Sequence, residues 1–333
     1  MQFIEITDYD HETMQLARPV YDRMRRVLLA SGRTIHPKLI ERIKELGIST
    51  LMVEDADTQG ITMDEMLDMP TWLDAIEVVQ KVYENVRMKQ PIPLIDLQQT
   101  ASKMIHEVTQ RKTIFLIPSS FVADELKEYA HVVNVALLSI QTGKTLQYAP
   151  SKLKELAIGA LLHDIGKALT NVTAEHPQKG FEFIKSIREV SLLSAHIAYQ
   201  HHELLNGQGY PRQIAGKEIL EYPQICAVAN VYERLLSQEK VLPHEALEML
   251  MTKYETEYSG NVISAFLTSV PSYIPGTKVR LSNGKDAVVT GIKSDLHRPL
   301  IKYLDNQQEI HLADHPSIMI SGLIESNVKE KVS

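Results

Sequence analysis

Apolar and polar positions change rhythm along the chain. Up to about residue 57 the pattern is mixed. Val27 to Ala30 is a short apolar run closed by Ser31-Gly32, which reads as a strand and a turn. Leu39, Ile40 and Ile43 share one face of a helix that His36-Pro37 opens and Gly47 stops. Ser49 to Val53 reads as a further strand. After the polar break Asp57-Thr58-Gln59-Gly60 the period becomes helical. Trp72 to Met88 places Leu73, Ile76, Val79, Val82 and Tyr83 at helical spacing, and Pro91 and Pro93 precede a second helix to about Gln110. Lys112 to Pro118 is apolar without a clear period. Helices are then predicted from about Val122 to Gln141 with a stop at Gly143, Lys152 to Lys167, Pro177 to Glu189, Ser191 to His202, Pro223 to Ser237 and Pro243 to Tyr254. The helical region closes near Leu267. From Pro271 the texture is that of short strands. Lys278 to Leu281 and Ala287 to Thr290 flank Ser282-Asn283-Gly284-Lys285, a hairpin signal, and strands are predicted at Leu300 to Leu304, Glu309 to Leu312 and Ile318 to Ile320.

The pattern predicts a mainly α protein in three parts: a small N-terminal α/β domain over residues 1–57, an all-helical domain over 58–268, and a small β-rich, barrel-like domain over 269–333. Composition agrees with a folded chain. Of 333 residues, 44% are hydrophobic and 23% charged, which excludes disorder. The net charge of −7, without a basic block, argues against a nucleic-acid polymer as partner. The short basic cluster Arg23, Arg25 and Arg26 reads as a solvated face. A single cysteine, Cys226, excludes an internal disulfide and a multi-thiolate zinc site. No apolar run approaches the ~18 residues that a membrane span requires. The start, MQFIEITDYDHE, carries acids where an export signal carries bases. A cytoplasmic protein without membrane contact is expected.

Histidine changes the picture. There are 13, and His131, His163, His176, His196, His201 and His202 crowd into one part of the helical region. His163 and Asp164 are adjacent near the end of a predicted apolar helix, as are His201 and His202. Successive helical side chains diverge by about 100°, so His201 and His202 are suited to serving two different metal ions. His131 shares a face with Val135 and Leu138 and points to the core. Several imidazoles and a carboxylate facing one interior need cations to satisfy them. A lone histidine on an apolar face is more often a hydrogen-bonded core residue, the reading given to His196. The same holds for His106, His244, His297, His311 and His315.

Two segments carry a family likeness: HDIGK (His163 to Lys167) and HHELLNGQGYP (His201 to Pro211). They resemble the signatures of the HD-GYP family, HD-domain metallohydrolases that cleave the bacterial second messenger cyclic di-GMP. GRTIHPKLIERIKELGI resembles a small domain often found ahead of the catalytic one, YAHVVNVALLS the helix bearing the first metal histidine, and VPSYIPGTKVRLSNG a β-rich tail of some members. The resemblance implies metal ligands at His131, His163, Asp164, His176, His201 and His202, with Asp164 bridging two divalent ions, iron or manganese in preference to zinc. It implies a role for Lys167 on the scissile phosphate or the leaving oxygen. The turn with Gly207, Gly209, Tyr210 and Pro211 would receive a guanine nucleotide, although by composition alone it is a plain surface turn. The implied reaction is hydrolysis of cyclic di-GMP to pGpG or GMP by a hydroxide that two metals activate.

The chain departs from the family pattern in ways that bear on catalysis. The last metal ligand is an Asp in the family and Asn230 here, in Ala227-Val228-Ala229-Asn230. Only 13 positions separate His163 from His176, where the family has a longer loop. The segment SQEKVLP after Leu236 lacks a basic run that the family uses on substrate phosphates; Arg234 and Lys240 are the nearby cations. Lys127 stands one turn before His131, where a third metal would need Glu. These departures leave a second reading open, a relative that binds cyclic di-GMP or a protein partner without efficient turnover. A third, hydrolysis of another nucleotide, is disfavoured by the GYP segment. Docking of a partner on a terminal domain and formation of a homodimer are also left open.

Overall fold

The computed structural model describes residues 1–324; the 325–333 end of the expected β-rich segment lies outside the described residues. The chain divides into two compact units. One comprises residues 1–64, 118–127 and the segment from Pro271 onward; the other comprises 65–117 and 128–270.

In the first unit, strands β1 (Gln2–Glu5), β2 (Gln15–Leu16) and β5 (Thr50–Glu54) form an antiparallel sheet in the order β1-β5-β2, and β3 (Val20–Tyr21) pairs with β4 (Val27–Leu29). Helix α1 (Pro37–Glu45) starts where His36 Nδ1 accepts from the Lys38 N–H, and it buries Ile43 against Leu16, Ile35, Leu51 and Val53. The C-terminal strands β6 (Lys278–Leu281), β7 (Asp286–Gly291), β8 (Leu300–Tyr303), β9 (Glu309–His311) and β10 (Ile320–Leu323) make a second antiparallel sheet, ordered β10-β6-β7-β8-β9. Val279, Leu281, Ala287, Val289, Ile301 and Tyr303 form its core, as the alternation of strand side chains requires. The last strand lies later than the Ile318 to Ile320 expected from the apolar run. Lys278 ties the two terminal segments together through Asp55 Oδ2 at 3.0 Å and Asp57 Oδ2 at 2.5 Å.

The second unit is helical: α2 (Met69–Arg87), α3 (Leu94–Gln110), the body of α4 (Asp124–Thr145), α5 (Pro150–Leu161), α6 (His176–Lys185), α7 (Leu192–Gln200), α8 (Glu221–Ser237), α9 (Pro243–Met251) and α10 (Gly260–Leu267). From Ala130 to Gly143, α4 is buried on every side, the signature of a helix running through a core. Its polar residues are accordingly satisfied: Asn134 Oδ1 accepts from Trp72 Nε1 at 3.0 Å, and Asn134 Nδ2 donates to the Ile117 carbonyl at 2.9 Å.

Two helix ends differ from expectation. Gly143 does not stop α4. A Cβ there would lie 2.9 Å from Leu156 and 3.0 Å from Leu153, so glycine serves close packing against α5. Helix α5 ends at Leu161 instead of Lys167. His163 and Asp164 therefore stand in a turn, followed by one turn of 3-10 helix at Ile165–Ala168. His201 likewise caps α7 rather than lying within it. A helical phase of 100° does not apply to either pair.

Candidate metal centre

The site lies within the helical unit. Helix α4 supplies His131, the turn after α5 supplies His163 and Asp164, the first residue of α6 is His176, and the end of α7 supplies His201 and His202. Gly166 sets the approach of the Asp164 turn to α6. A Cβ on it would lie 1.9 Å from the His176 carbonyl oxygen, so any larger residue would push His176 away.

These side chains form two groups that share Asp164. One is His131, His163 and Asp164. The other is Asp164, His176, His201 and His202, with candidate ligand atoms of each group within 4.8 Å of one another. His201 and His202 thus serve the same group, contrary to the division between two ions expected from sequence. Their rings lie 4.1 Å apart and tilt by 44°, because both sit beyond the regular helix.

The hydrogen bonds decide which ring atoms face inward. His163 donates from Nδ1 to the Ala160 carbonyl at 2.8 Å, His176 to that of Thr173 at 2.6 Å, and His201 to those of Ile197 and Ala198 at 3.1 and 3.0 Å. His131 donates from Nδ1 to Glu233 Oε2. With its proton on Nδ1, each ring turns a bare lone pair at Nε2 toward the interior. His176 Nε2 lies 3.1 Å from Asp164 Oδ1 and 3.4 Å from His201 Nε2, and His201 Nε2 lies 3.5 Å from the same oxygen. These are acceptors facing acceptors. Nε2 of His131, His163 and His202 and Oδ1 of Asp164 are buried without any hydrogen-bond partner. A divalent cation resolves such a set, and a ring nitrogen anchored on the far side by a carbonyl or carboxylate is the usual state of a metal-bound histidine.

Electrostatics agree. Burial pushes His201 down to about 4, and it lowers His163 and, more strongly, His202, with neighbouring histidines adding to the effect. These three rings are neutral at neutral pH, as ligands must be. Burial acts to raise Asp164, but the facing imidazoles, His163 foremost, outweigh it and hold the carboxyl well below its usual range. Imidazole and carboxylate donors suit iron, manganese or zinc better than magnesium.

The remaining expected site residues surround this centre. Lys167 Nζ donates to Asp164 Oδ2 at 2.5 Å. The Tyr210 ring stacks on His202 at 4.4 Å and 13°. The Tyr210 N–H donates to the His202 carbonyl at 3.1 Å. Gly209 packs so closely that a Cβ would meet the His202 carbonyl oxygen at 2.4 Å. Gly207 takes a left-handed φ of +74° in the same turn, and Glu203 Oε1 accepts from the Arg212 N–H just beyond Pro211. The turn thus folds back onto the histidine pair. Asn230, on α8, is buried with an unpartnered Oδ1. His196 stands outside the cluster, packed on Phe181 at 5.0 Å with its Nδ1 unpartnered, not the hydrogen-bonded core residue expected.

Sequence reasoning missed Glu233. It lies three positions after Asn230, and that spacing on one helix face was the available signal. Arg234, the next residue, brings Nη2 to 3.9 Å from Asp164 Oδ2.

Comparison with known proteins gives the same picture. Residues 129–235 match the HD domain family. A cyclic di-GMP phosphodiesterase of Pseudomonas aeruginosa is 27% identical over 233 residues, covering 63% of this chain and 56% of its own length. One of Thermotoga maritima is 28% identical over 164 residues, covering 43% of this chain and 45% of its own. The chain thus spans about half the length of these curated relatives. A solved HDG"Y"P protein from Bdellovibrio bacteriovorus shares the fold with a TM-score of 0.51 at 18% identity, covering 80% of this chain and 98% of its own. Residues 129–235 are thus an HD domain, and both signature segments meet at its Asp164.

Proposed function

We propose that the protein is a metal-dependent phosphodiesterase that hydrolyses cyclic di-GMP to pGpG, with GMP after a second cut. The observation that carries this reading is the set of inward lone pairs around Asp164, in two groups that meet at one carboxylate. His131 and His163 would hold one divalent ion, and His176, His201 and His202 a second, with Asp164 common to both. Iron or manganese is the proposed metal. Bound there, the ions would supply Lewis acidity toward a phosphate oxygen and a lowered pKa for a water.

The chain's own residues have distinct tasks. Asp164, held ionised, joins the two groups. Lys167 stands beside it, one-third exposed, and its ammonium is placed to meet a phosphate or to protonate the leaving oxygen. Hydrolysis forms a bond from water oxygen to phosphorus and breaks the bond from phosphorus to the ribose 3′ oxygen, which takes up a proton. Tyr210, stacked on His202, offers a ring and a hydroxyl to a guanine, and Gly207 and Gly209 shape the turn that sets it there, Gly209 by its close packing on the His202 carbonyl. Burial pushes the Tyr210 phenol up to about 12, so it stays a hydrogen-bond donor.

The test is metal analysis of the purified protein followed by chromatography of cyclic di-GMP incubated with it and Mn²⁺ or Fe²⁺. Formation of pGpG supports the reading. Nucleotide binding without turnover favours instead a binding protein, the alternative that the neutral, unpartnered Asn230 motivates. Faster turnover of cyclic GMP-AMP would reassign the substrate within the cyclic dinucleotides.

A further inference from the structure

Arg234 is an unusual residue for its place. Most of α8 around it is buried and apolar, with Ala229, Tyr232 and Leu235 facing the core. A guanidinium carries five N–H donors in a fixed fork. The Nε of Arg234 is buried and has no hydrogen-bond partner. Its Nη2 lies 3.9 Å from Asp164 Oδ2, close enough for attraction and too far for a hydrogen bond. An orphaned, desolvated donor is costly unless a ligand completes it. The side chain is 32% exposed, so a ligand can reach it.

Lys167 mirrors this position. Its Nζ touches the same Oδ2 of Asp164, and its side chain is 31% exposed. Two partly exposed cations therefore flank one buried carboxylate oxygen at the edge of the proposed metal centre. One carboxylate oxygen does not neutralise both. A phosphate does, because its oxygens match the guanidinium fork two at a time and leave another for an ammonium.

We propose that Arg234 and Lys167 form a clamp for one phosphate group of the substrate, with Arg234 as its forked, two-point donor. The inference rests on the phosphodiesterase reading and deepens it: the cation that grips the phosphate comes from α8 itself, one residue after the glutamate that holds His131, and not from the segment beyond Leu236.

The experiment compares wild type with Arg234→Met, which keeps the length and apolar packing of the stem, and Arg234→Lys, which keeps the charge without the fork. Binding of pGpG and of orthophosphate to the Mn²⁺-loaded proteins is measured by calorimetry, and metal content by mass spectrometry. The clamp predicts at least tenfold weaker pGpG binding in Arg234→Met, partial recovery in Arg234→Lys, and equal metal content in all three. In turnover of cyclic di-GMP, the loss appears mainly as raised KM. Equal pGpG affinity across the three proteins overturns the proposal. So does loss of metal with unchanged affinity per loaded site, which would make Arg234 a structural counter-charge to Asp164. Failure of the wild type to bind either ligand also overturns it. Turnover indifferent to Arg234 defeats the clamp and leaves the enzyme. Arg234-dependent phosphate binding without turnover of any cyclic dinucleotide defeats the enzyme and leaves the clamp.

Discussion

Glu233 Oε2 accepts the Nδ1 proton of His131, and both side chains are buried. The carboxylate is itself held in place, with Ser237 Oγ donating to Oε2 at 3.1 Å and Asn134 Nδ2 approaching Oε1 at 3.5 Å. Asn134 in turn accepts from Trp72. A chain of polar contacts thus runs from a core tryptophan to Nδ1 of His131, the ring nitrogen opposite the Nε2 that faces Asp164. Burial works to raise the Glu233 carboxyl, and His131 outweighs it, so Glu233 stays ionised and fixes the tautomer. Such outer partners are worth about 10- to 100-fold in metal affinity. Glu233→Ala should therefore weaken Mn²⁺ binding by about that factor, read by competition with a chelator. Glu233→Gln should fall between it and the wild type. Equal affinity in all three would reduce Glu233 to a packing residue.

Gly166 makes a sharper structural prediction. A methyl group at this position meets backbone, not a flexible side-chain end. Gly166→Ala must shift either the Asp164 turn or the start of α6. The expected cost is about 1–3 kcal/mol or more, seen in denaturant unfolding. Metal affinity should fall with it, since His176 moves relative to Asp164. A variant with wild-type stability and metal content would show that the close approach has slack.

How much of this was legible in the sequence depends on the range of the interaction. The histidines stood out because their number and grouping are chemically improbable in a core. The helices α2, α3 and α8 followed from apolar spacing, since one face of each is buried. Glu233 was legible only as a neighbour of Asn230 on one helix face; its role was hidden, because VYERLLS reads as an ordinary amphipathic turn until His131, more than a hundred positions upstream, is placed beside it. The early end of α5 was hidden for a similar reason: Leu162 and Ile165 continue the apolar stripe, and the close approach of Gly166 to His176 in the segment beyond it is a tertiary contact. Strand β1 was unreadable because all four of its residues are half-buried, so no alternation marks it. Residues 118–127 group with the terminal segments through backbone bonds, Ser49 N–H to Ser120 O at 3.1 Å and Asp124 N–H to Leu46 O at 3.0 Å, which no local pattern encodes.

Lys278 offers a test in the other unit. It bonds Asp55 and Asp57, joining the N-terminal and C-terminal segments. Burial works to raise the Asp55 carboxyl, but the Thr58 hydroxyl and Lys278 outweigh it and lower the pKa. Its contribution to stability is present above the unfolded value of 3.8 and is lost as pH falls through the lower folded value. Burial works to lower Lys278, but Asp57 and Asp55 outweigh it and raise its pKa. That contribution is present below the unfolded value of 10.5 and is lost as pH rises through the higher folded value. Lys278→Met should cost about 1–2 kcal/mol at pH 7. Amide exchange at β5 and β6 should accelerate together. The stability gap to wild type should be flat between these limits and close at both ends. A gap that grows toward acid would mean that Asp55 gains nothing from the lysine.

Asn230 gives the most direct test of what this centre lacks. Its Oδ1 is buried and unpartnered, and it lies on the α8 face that also carries Glu233 and Arg234. An added carboxylate has opposite effects in the two states of the site. Without metal, Asn230→Asp places a charge in a position only 2% exposed, which destabilises the fold. With metal, the same charge becomes a ligand. Asn230→Asp should therefore lower the melting temperature of the metal-free protein and widen the gap between metal-free and Mn²⁺-loaded forms. Metal occupancy at limiting Mn²⁺ should rise as well. If the variant is destabilised equally in both forms and occupancy does not change, the side chain of residue 230 stays outside the coordination sphere, and the protein relies on the histidines and Asp164 alone.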